Sequence, residues 1–271
     1  MKRLGFIGAG NMAQAIIKGV LSSGLSKPAG IVISDKAKVT ERKVAKLYGV
    51  GRARGNAELA HGCDVVIIAV KPANVDEVLD EIKDKVEGKR LMVSIAAGVS
   101  TERIRSLLPG GASVVRAMPN TPALVEKGAT ALYFTPGVDE TQRALVLSIF
   151  DAIGVTVVLD REELMDAVTA LSGSGPAFVA MFVEALSDGG VKMGLPRDLA
   201  LRLAIETTLG AAEILTRESM HPAHLKDMVS SPAGTTIEGI KALEEWGFRG
   251  AVISAVEAAA QRSKELSSGG K

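Results

Sequence analysis

Leu4-Gly5-Phe6-Ile7-Gly8-Ala9-Gly10-Asn11-Met12-Ala13 sets a short apolar run before a glycine-rich turn and opens directly into an amphipathic stretch from Met12 to Ser23. Strand, tight turn and helix in that order put a helix N-terminus, with its unpaired N–H groups and positive dipole, at the carboxyl end of a strand. Gly8 permits the turn, Gly10 lets backbone approach a pyrophosphate, and Ala13 stands where a third glycine more often meets the strand. The turn reads as a phosphate cradle made by Gly8, Ala9, Gly10, Asn11 and Met12. A glycine turn without a ligand is the plainer alternative, and the strand-to-helix context weighs against it.

Outward from this turn the pattern repeats. Strands are expected over 4–8, 31–34, 65–70, 90–95, 113–118, 130–134 and 156–159, with helices over 12–23, 39–47, 75–86, 101–108 and 139–152. Alternating short apolar runs and amphipathic stretches form a parallel sheet with crossover helices, so the fold class is α/β with an N-terminal Rossmann-type domain. Past Asp160 the β-branched runs stop. Helices bounded by proline and glycine follow: Pro176 to Met193 with Gly194 as its stop, Pro196 to about Thr216, shorter ones from Pro222 and Thr235, and a last one over 249–266 with an alanine-rich stripe. The expected domains are a dinucleotide-binding one at 1–161 and an all-helical one at 162–271.

Composition narrows the function classes. Of 271 residues 47% are hydrophobic but 3% aromatic, which suits closely packed helices and parallel strands. Lys and Arg number 32 against 31 Asp and Glu, a balance that supplies no field for a polyanion or an anionic membrane. Cys63 is the single cysteine and reads as a small buried apolar residue. No uninterrupted apolar run suggests a membrane span, so a soluble cytoplasmic protein is expected. His61, His221 and His224 lack metal-ligand spacing and read as surface or capping residues; no metal is expected.

Several other segments leave strands or open helices. If the second strand ends at Ser34, its rim is neutral, and a hydroxyl with Lys36, Arg54 or Asn56 nearby would hold a 2′-phosphate. If it ends at Asp35, NADH is favoured; the weight falls on NADPH, with NADH possible. Ala69-Val70-Lys71-Pro72 leaves another strand and puts Lys71 at the ligand edge, and Met118-Pro119-Asn120-Thr121-Pro122 holds Asn120 in a rigid extended turn near the nicotinamide end. The remaining expected cofactor contact is Ala97. Ser230-Ser231-Pro232-Ala233-Gly234-Thr235-Thr236-Ile237-Glu238 has a small-residue loop and, at Thr235 and Glu238, capping-box spacing; such a helix start is a carboxylate cradle. Ser172-Gly173-Ser174-Gly175-Pro176 is a similar small-residue turn, and on spacing alone only a loop.

Together, Gly5 to Met12, Ala69 to Pro72, Met118 to Pro122, Leu171-Ser172-Gly173-Ser174-Gly175-Pro176-Ala177-Phe178 and the Ser230 to Glu238 loop resemble pyrroline-5-carboxylate reductases nearly end to end. The run Asp227-Met228-Val229-Ser230-Ser231-Pro232 through Gly234, Thr236, Gly239 and Leu243 is similar to that family's own signature. The resemblance implies hydride transfer from NAD(P)H to the C=N carbon of 1-pyrroline-5-carboxylate, giving L-proline, the last step of proline synthesis. It implies substrate contacts at Ser230, Gly234, Thr235, Thr236 and Ser174, with the Thr235 and Thr236 N–H groups on the carboxylate and the Thr236 hydroxyl, the catalytic candidate, on the ring nitrogen. It further implies a homodimer built into a larger ring such as a decamer. Ser219 stands where some relatives carry a glutamate, and Glu218 one step earlier is left out of the site. A β-hydroxyacid dehydrogenase is the nearest rival, but its base is missing, since the helix from Pro176 offers only Lys192 at its far end. A redox-sensing binding protein would need an output module, and no basic recognition helix supplies one.

Overall fold

The computed structural model describes residues 2–86, 90–108, 110 and 112–267. By contacts the chain divides into two compact units, one of Met1–Ser174 with Ala259–Lys271 and one of Gly175–Ala258.

The first unit is built on β1 (Leu4–Ile7), α1 (Asn11–Ser22), β2 (Ile31–Ser34), α2 (Lys38–Tyr48), β3 (Gly51–Arg52), α3 (Asn56–Gly62), β4 (Val65–Ile68), α4 (Val75–Ile82), β5 (Leu91–Ser94), α5 (Thr101–Leu107), β6 (Ser113–Met118), β7 (Gly128–Phe134), α6 (Glu140–Asp151) and β8 (Gly154–Val158). One sheet runs β3-β2-β1-β4-β5-β6-β7-β8. The continuous apolar runs of β1, β2, β4 and β5 are buried throughout because helices cover both faces. Alternation sorts the side chains. Phe6, Val65 and Ile67 join Ile16, Ile17, Ile149 and Phe150 from α1 and α6 on one face, while Ile7, Val66 and Ile68 join Leu59, Val78, Leu79 and Ile104 from α3, α4 and α5 on the other. A Cβ on Gly5 would strike the Leu59 side chain and come within 2.9 Å of the Cys63 sulfur, so glycine lets α3 lie close to β1. Cys63 is 4% exposed, and burial pushes its thiol up to about 11, keeping it protonated and inert.

Two strands depart from a purely parallel sheet. β7 runs antiparallel to β6, and β8 follows β7 in parallel. Residues 119–127 link β6 to β7 through a short 3₁₀ turn at Thr121–Val125, too little chain for a crossover of a dozen residues or more. Strand β3 and helix α3, absent from the sequence reading, are too short to show a period, and the helix expected over 75–86 stops at Ile82.

Residues 162–174 pack on this unit, which is why the division falls later than the 161/162 boundary expected from composition. Glu162, following β8, accepts from Thr101 N (2.7 Å), Thr101 Oγ1 (2.5 Å) and Arg116 Nη1 (3.1 Å), and Met165 and Ala170 are buried. After α7 (Met165–Val168) the Ser172-Gly173-Ser174 segment is a π-helical turn over Thr169–Gly173 and not an open loop; it leads straight into α8 (Gly175–Lys192). Pro176 explains the turn's chemistry: lacking N–H, it leaves the Ser172 carbonyl without its helical partner, and Asn120 Nδ2 donates to that carbonyl at 3.1 Å.

The second unit comprises α8, α9 (Arg197–Arg217), α10 (Pro222–Met228), α11 (Thr235–Glu245) and most of α12 (Phe248–Ser267). Gly194 at φ +97° ends the α8 turn as a left-handed residue, and Pro196 caps α9. Gly190 brings α8 to Ala200 of α9, where a Cβ would lie 3.1 Å from the alanine methyl. Ser187, Ala200 and Ala204 are the buried residues among those described here, all small. Large apolar side chains such as Met181, Leu209 and Trp246 stand 69%, 58% and 89% exposed. These helices therefore have no large side chain in a core of their own. The run Glu162–Lys192 is long and apolar enough to cross a membrane by length and composition, although polar residues interrupt its apolar stretches.

Candidate functional site

The turn after β1 is built as its residues require. Gly8 has φ +101°, and a Cβ there would lie 2.6 Å from the Ala69 carbonyl oxygen, so only glycine fits beside β4. Its N–H donates to Ser34 O at 2.8 Å, tying the turn to the end of β2. Gly10 is the N-cap of α1 and makes no side-chain cap; a Cβ there would meet nothing within 4 Å. That open space is what close approach by a ligand needs. The first helical bond runs from Gln14 N to Gly10 O at 3.0 Å, so the N–H groups of Asn11, Met12 and Ala13 face out of the helix end. Ala13 is buried, which accounts for a small residue in place of the third glycine.

Beside this turn lies a cleft of about 510 Å³ at the carboxyl edge of the sheet. Of the expected cofactor residues, Gly8, Gly10, Ser34, Lys36, Asn56, Ala69, Val70 and Lys71 line it. Ala9 is fully buried behind the turn and Met12 packs against the core; Asn11, Pro72, Ala97 and Asn120 are not among the cleft walls. Ala97 belongs to the loop after β5, whose Gly98 (φ +73°) lies against Leu266 and Ser267 at the end of α12. Asn120 is used as a clamp: Nδ2 donates to Ser172 O and Oγ, both at 3.1 Å, and Oδ1 accepts from Ala129 N at 2.9 Å.

The rim of β2 differs from either simple reading. The strand ends at Ser34, as one reading has it, but the rim is not neutral: Ser34, 2% exposed as a residue, and Asp35 both line the cleft. Asp35 holds the turn itself: Oδ2 accepts from Ala9 N and Oδ1 from Ala37 N, each at 2.7 Å. Behind it the buried Glu41 accepts from Asp35 N at 3.1 Å, Lys38 Nζ at 2.6 Å and Arg52 Nε at 3.2 Å. Burial pushes the Glu41 carboxyl up, but the Lys38 and Asp35 hydrogen bonds and the charges of Lys38 and Arg52 outweigh it and hold the group below its ordinary value. Glu77 and Glu81 of α4, unnoticed in the sequence, also line the cleft. They meet Lys36 and Asn56 only in the folded chain, so no local pattern marks them.

In the second unit, α11 starts as expected but not through a capping box. Gly234 is the N-cap with no side-chain bond, and Thr235 is already the first helical residue. A capping box needs the threonine one place earlier. The loop before it is a tight turn: Gly234 N donates to Ser231 O at 3.0 Å, Ala233 is held at φ +54°, and a Cβ on Gly234 would strike the Ser231 hydroxyl. Ser230 Oγ bonds back to Lys226 O at 2.6 Å. Thr235 and Thr236 thus present consecutive N–H groups at an uncapped helix start of eleven residues. Ser174 closes the π turn with its N–H on Thr169 O at 2.9 Å. His221 Nδ1 accepts from Ala223 N at 3.2 Å and caps α10, and Ser219 sits at φ +47°. Among the described residues no three His, Cys, Asp or Glu side chains group as metal ligands.

Comparison with known proteins adds three kinds of finding. Residues 162–266 match the family model described as pyrroline-5-carboxylate reductase dimerisation, and residues 3–98 the model described as NADP oxidoreductase, coenzyme F420-dependent. The chain is 45% identical over 264 residues to the pyrroline-5-carboxylate reductase of Synechocystis, covering 97% of this chain and 98% of the relative. It is similar to the solved pyrroline-5-carboxylate reductase of Coxiella burnetii, with TM-score 0.93, 37% identity and 98% of each chain covered. It is also similar to the Plasmodium falciparum pyrroline carboxylate reductase solved with NADP bound, with TM-score 0.87, 33% identity and 98% of each chain covered.

Proposed function

The chain belongs to the pyrroline-5-carboxylate reductase family, and on that premise we propose how its residues divide the reaction. It is an NAD(P)H-dependent oxidoreductase that reduces 1-pyrroline-5-carboxylate to L-proline. The uncapped α1 start, the open space over Gly10 and the cleft beside them fit a dinucleotide, with Gly8, Ala9, Gly10, Asn11 and Met12 as the pyrophosphate cradle. Ser34, Lys36, Asn56, Ala69, Val70, Lys71, Pro72, Ala97 and Asn120 complete the proposed contacts, Asn120 and Ser34 as supports of the turns that carry them. When bound, the cofactor supplies the hydride.

The observation that carries the substrate reading is the bare N-terminus of α11. The Thr235 and Thr236 N–H groups take the substrate carboxylate, the Ser230 to Gly234 turn walls it in, and Ser174 adds a small polar contact. The Thr236 hydroxyl bonds to the ring nitrogen and orients the imine. Because a cyclic imine protonates readily, the reaction asks for positioning and charge complementarity more than for a strong acid. We assign dinucleotide binding to residues 1–161 and substrate binding and dimerisation to residues 162–271, although 162–174 and the end of α12 belong by contacts to the first compact unit. We assign the chain to the cytoplasm, without nucleic-acid or membrane partners, as a dimer assembled into a larger ring such as a decamer. NADPH is the assigned preference, with NADH accepted. Supplying 1-pyrroline-5-carboxylate and following nicotinamide absorbance with NADPH, then NADH, tests the activity; no oxidation with either overturns it.

A further inference from the structure

The two side chains placed to receive a 2′-phosphate are each already held by a carboxylate from a single helix. Lys36 Nζ, just past β2, pairs with Glu77 Oε1 at 3.2 Å, and Asn56 Nδ2, opening α3, donates to Glu81 Oε2 at 2.7 Å. Glu77 and Glu81 are four residues apart on α4 and so share a face, and both line the cleft. Asp80, between them, is not among the cleft walls and pairs with Lys83 at 2.6 Å. Arg54 is not among those walls either; its backbone N–H, not its guanidinium, donates to Glu58 at 2.7 Å.

A ribose 2′-hydroxyl can donate to a carboxylate. A phosphate ester carries close to two negative charges at neutral pH and offers only acceptors, so it competes with Glu77 and Glu81 for the same donors and is repelled by them. Both pairs are solvent-accessible, hence easily exchanged, and the effect is graded competition. We infer that Glu77 and Glu81 are specificity-determining residues that narrow the enzyme's discrimination in favour of the 2′-phosphorylated dinucleotide. The inference rests on the cleft being the dinucleotide site.

Binding of NADP⁺ and NAD⁺ to the intact protein, measured by titration calorimetry at low and high salt, tests it without turnover. Glu77→Gln and Glu81→Gln keep an oxygen acceptor for Lys36 or Asn56 while removing one charge each. Each is expected to raise NADP⁺ affinity relative to NAD⁺ by about fivefold, the size of a close unit-charge interaction in water, and the gain shrinks at high salt. Asp80→Asn removes the same charge from the same helix away from the cleft and is expected to leave the ratio unchanged. An unchanged ratio in both Gln variants, or an equal shift in Asp80→Asn, overturns the inference while leaving the cleft assignment intact. Failure of the wild-type protein to bind either dinucleotide overturns the cleft assignment itself, and the inference with it.

Discussion

At the scale of single residues the site depends on backbone groups, and the side chains mostly hold those groups in place. Asp35 is the clearest case. By sequence its role turns on whether the second strand ends at Ser34 or at Asp35; in the structure its carboxylate fastens Ala9 and Ala37, which shapes the turn before any ligand arrives. Asp35→Ala leaves the buried Ala9 N–H without an acceptor and is expected to destabilise the ligand-free protein by about 1–3 kcal/mol, read as a fall in thermal midpoint. Thr236→Ala tests the other half. Turnover is expected to drop by about 10- to 100-fold with dinucleotide affinity nearly unchanged, since an orienting hydrogen bond is lost while the α11 N–H groups remain. Equal loss of dinucleotide binding would move Thr236 out of the substrate role.

Among the elements, β2, α2 and β3 meet at one buried charge. Glu41 on α2 bridges Asp35 after β2 and Arg52 in β3, so the β2 rim of the cleft is braced by a buried carboxylate held ionised. Its folded pKa lies below the 4.5 it has when free, so its contribution is complete above that value and is lost as pH falls through the folded one. Thermal midpoints measured from neutral pH downward are expected to fall below pH 4.5, and less steeply in Glu41→Gln, which has no charge there to lose. Equal acid slopes would assign the loss to other groups. The π turn before α8 shows how one residue sets an element: Pro176 frees the Ser172 carbonyl, and Asn120 from a distant turn takes it. Both residues were legible as punctuation in the sequence; their partnership was not, because it joins positions far apart along the chain.

For the whole molecule, the two units differ in how they are held. The first has large buried side chains on both faces of its sheet, whereas α8 to α12 leave Met181, Leu209 and Trp246 largely in water. So much apolar helix surface is stable when another copy covers it, in keeping with a dimerisation model that spans residues 162–266. Met181→Glu combined with Leu209→Glu is expected to shift sedimentation from oligomer to monomer, with the helical signal melting at lower temperature. An unchanged sedimentation profile would place the interface on other faces.

What the sequence determined by itself was the alternation of the longer strands and helices, the glycine turn and the start of α11, because each rests on local rules: a hydrophobic period, a glycine at positive φ, a small-residue loop before a helix. Tertiary structure decided the rest. It reversed β7 because the linking chain was too short to cross over, gave Thr235 the first helical position instead of the cap, and set Asp35 beside Ser34 on the cleft wall with its carboxylate bound to the turn. It also brought α4 close enough for Glu77 and Glu81 to take Lys36 and Asn56. Such pairings depend on where helices cross above the sheet, and that geometry is settled by packing among residues distant in the chain.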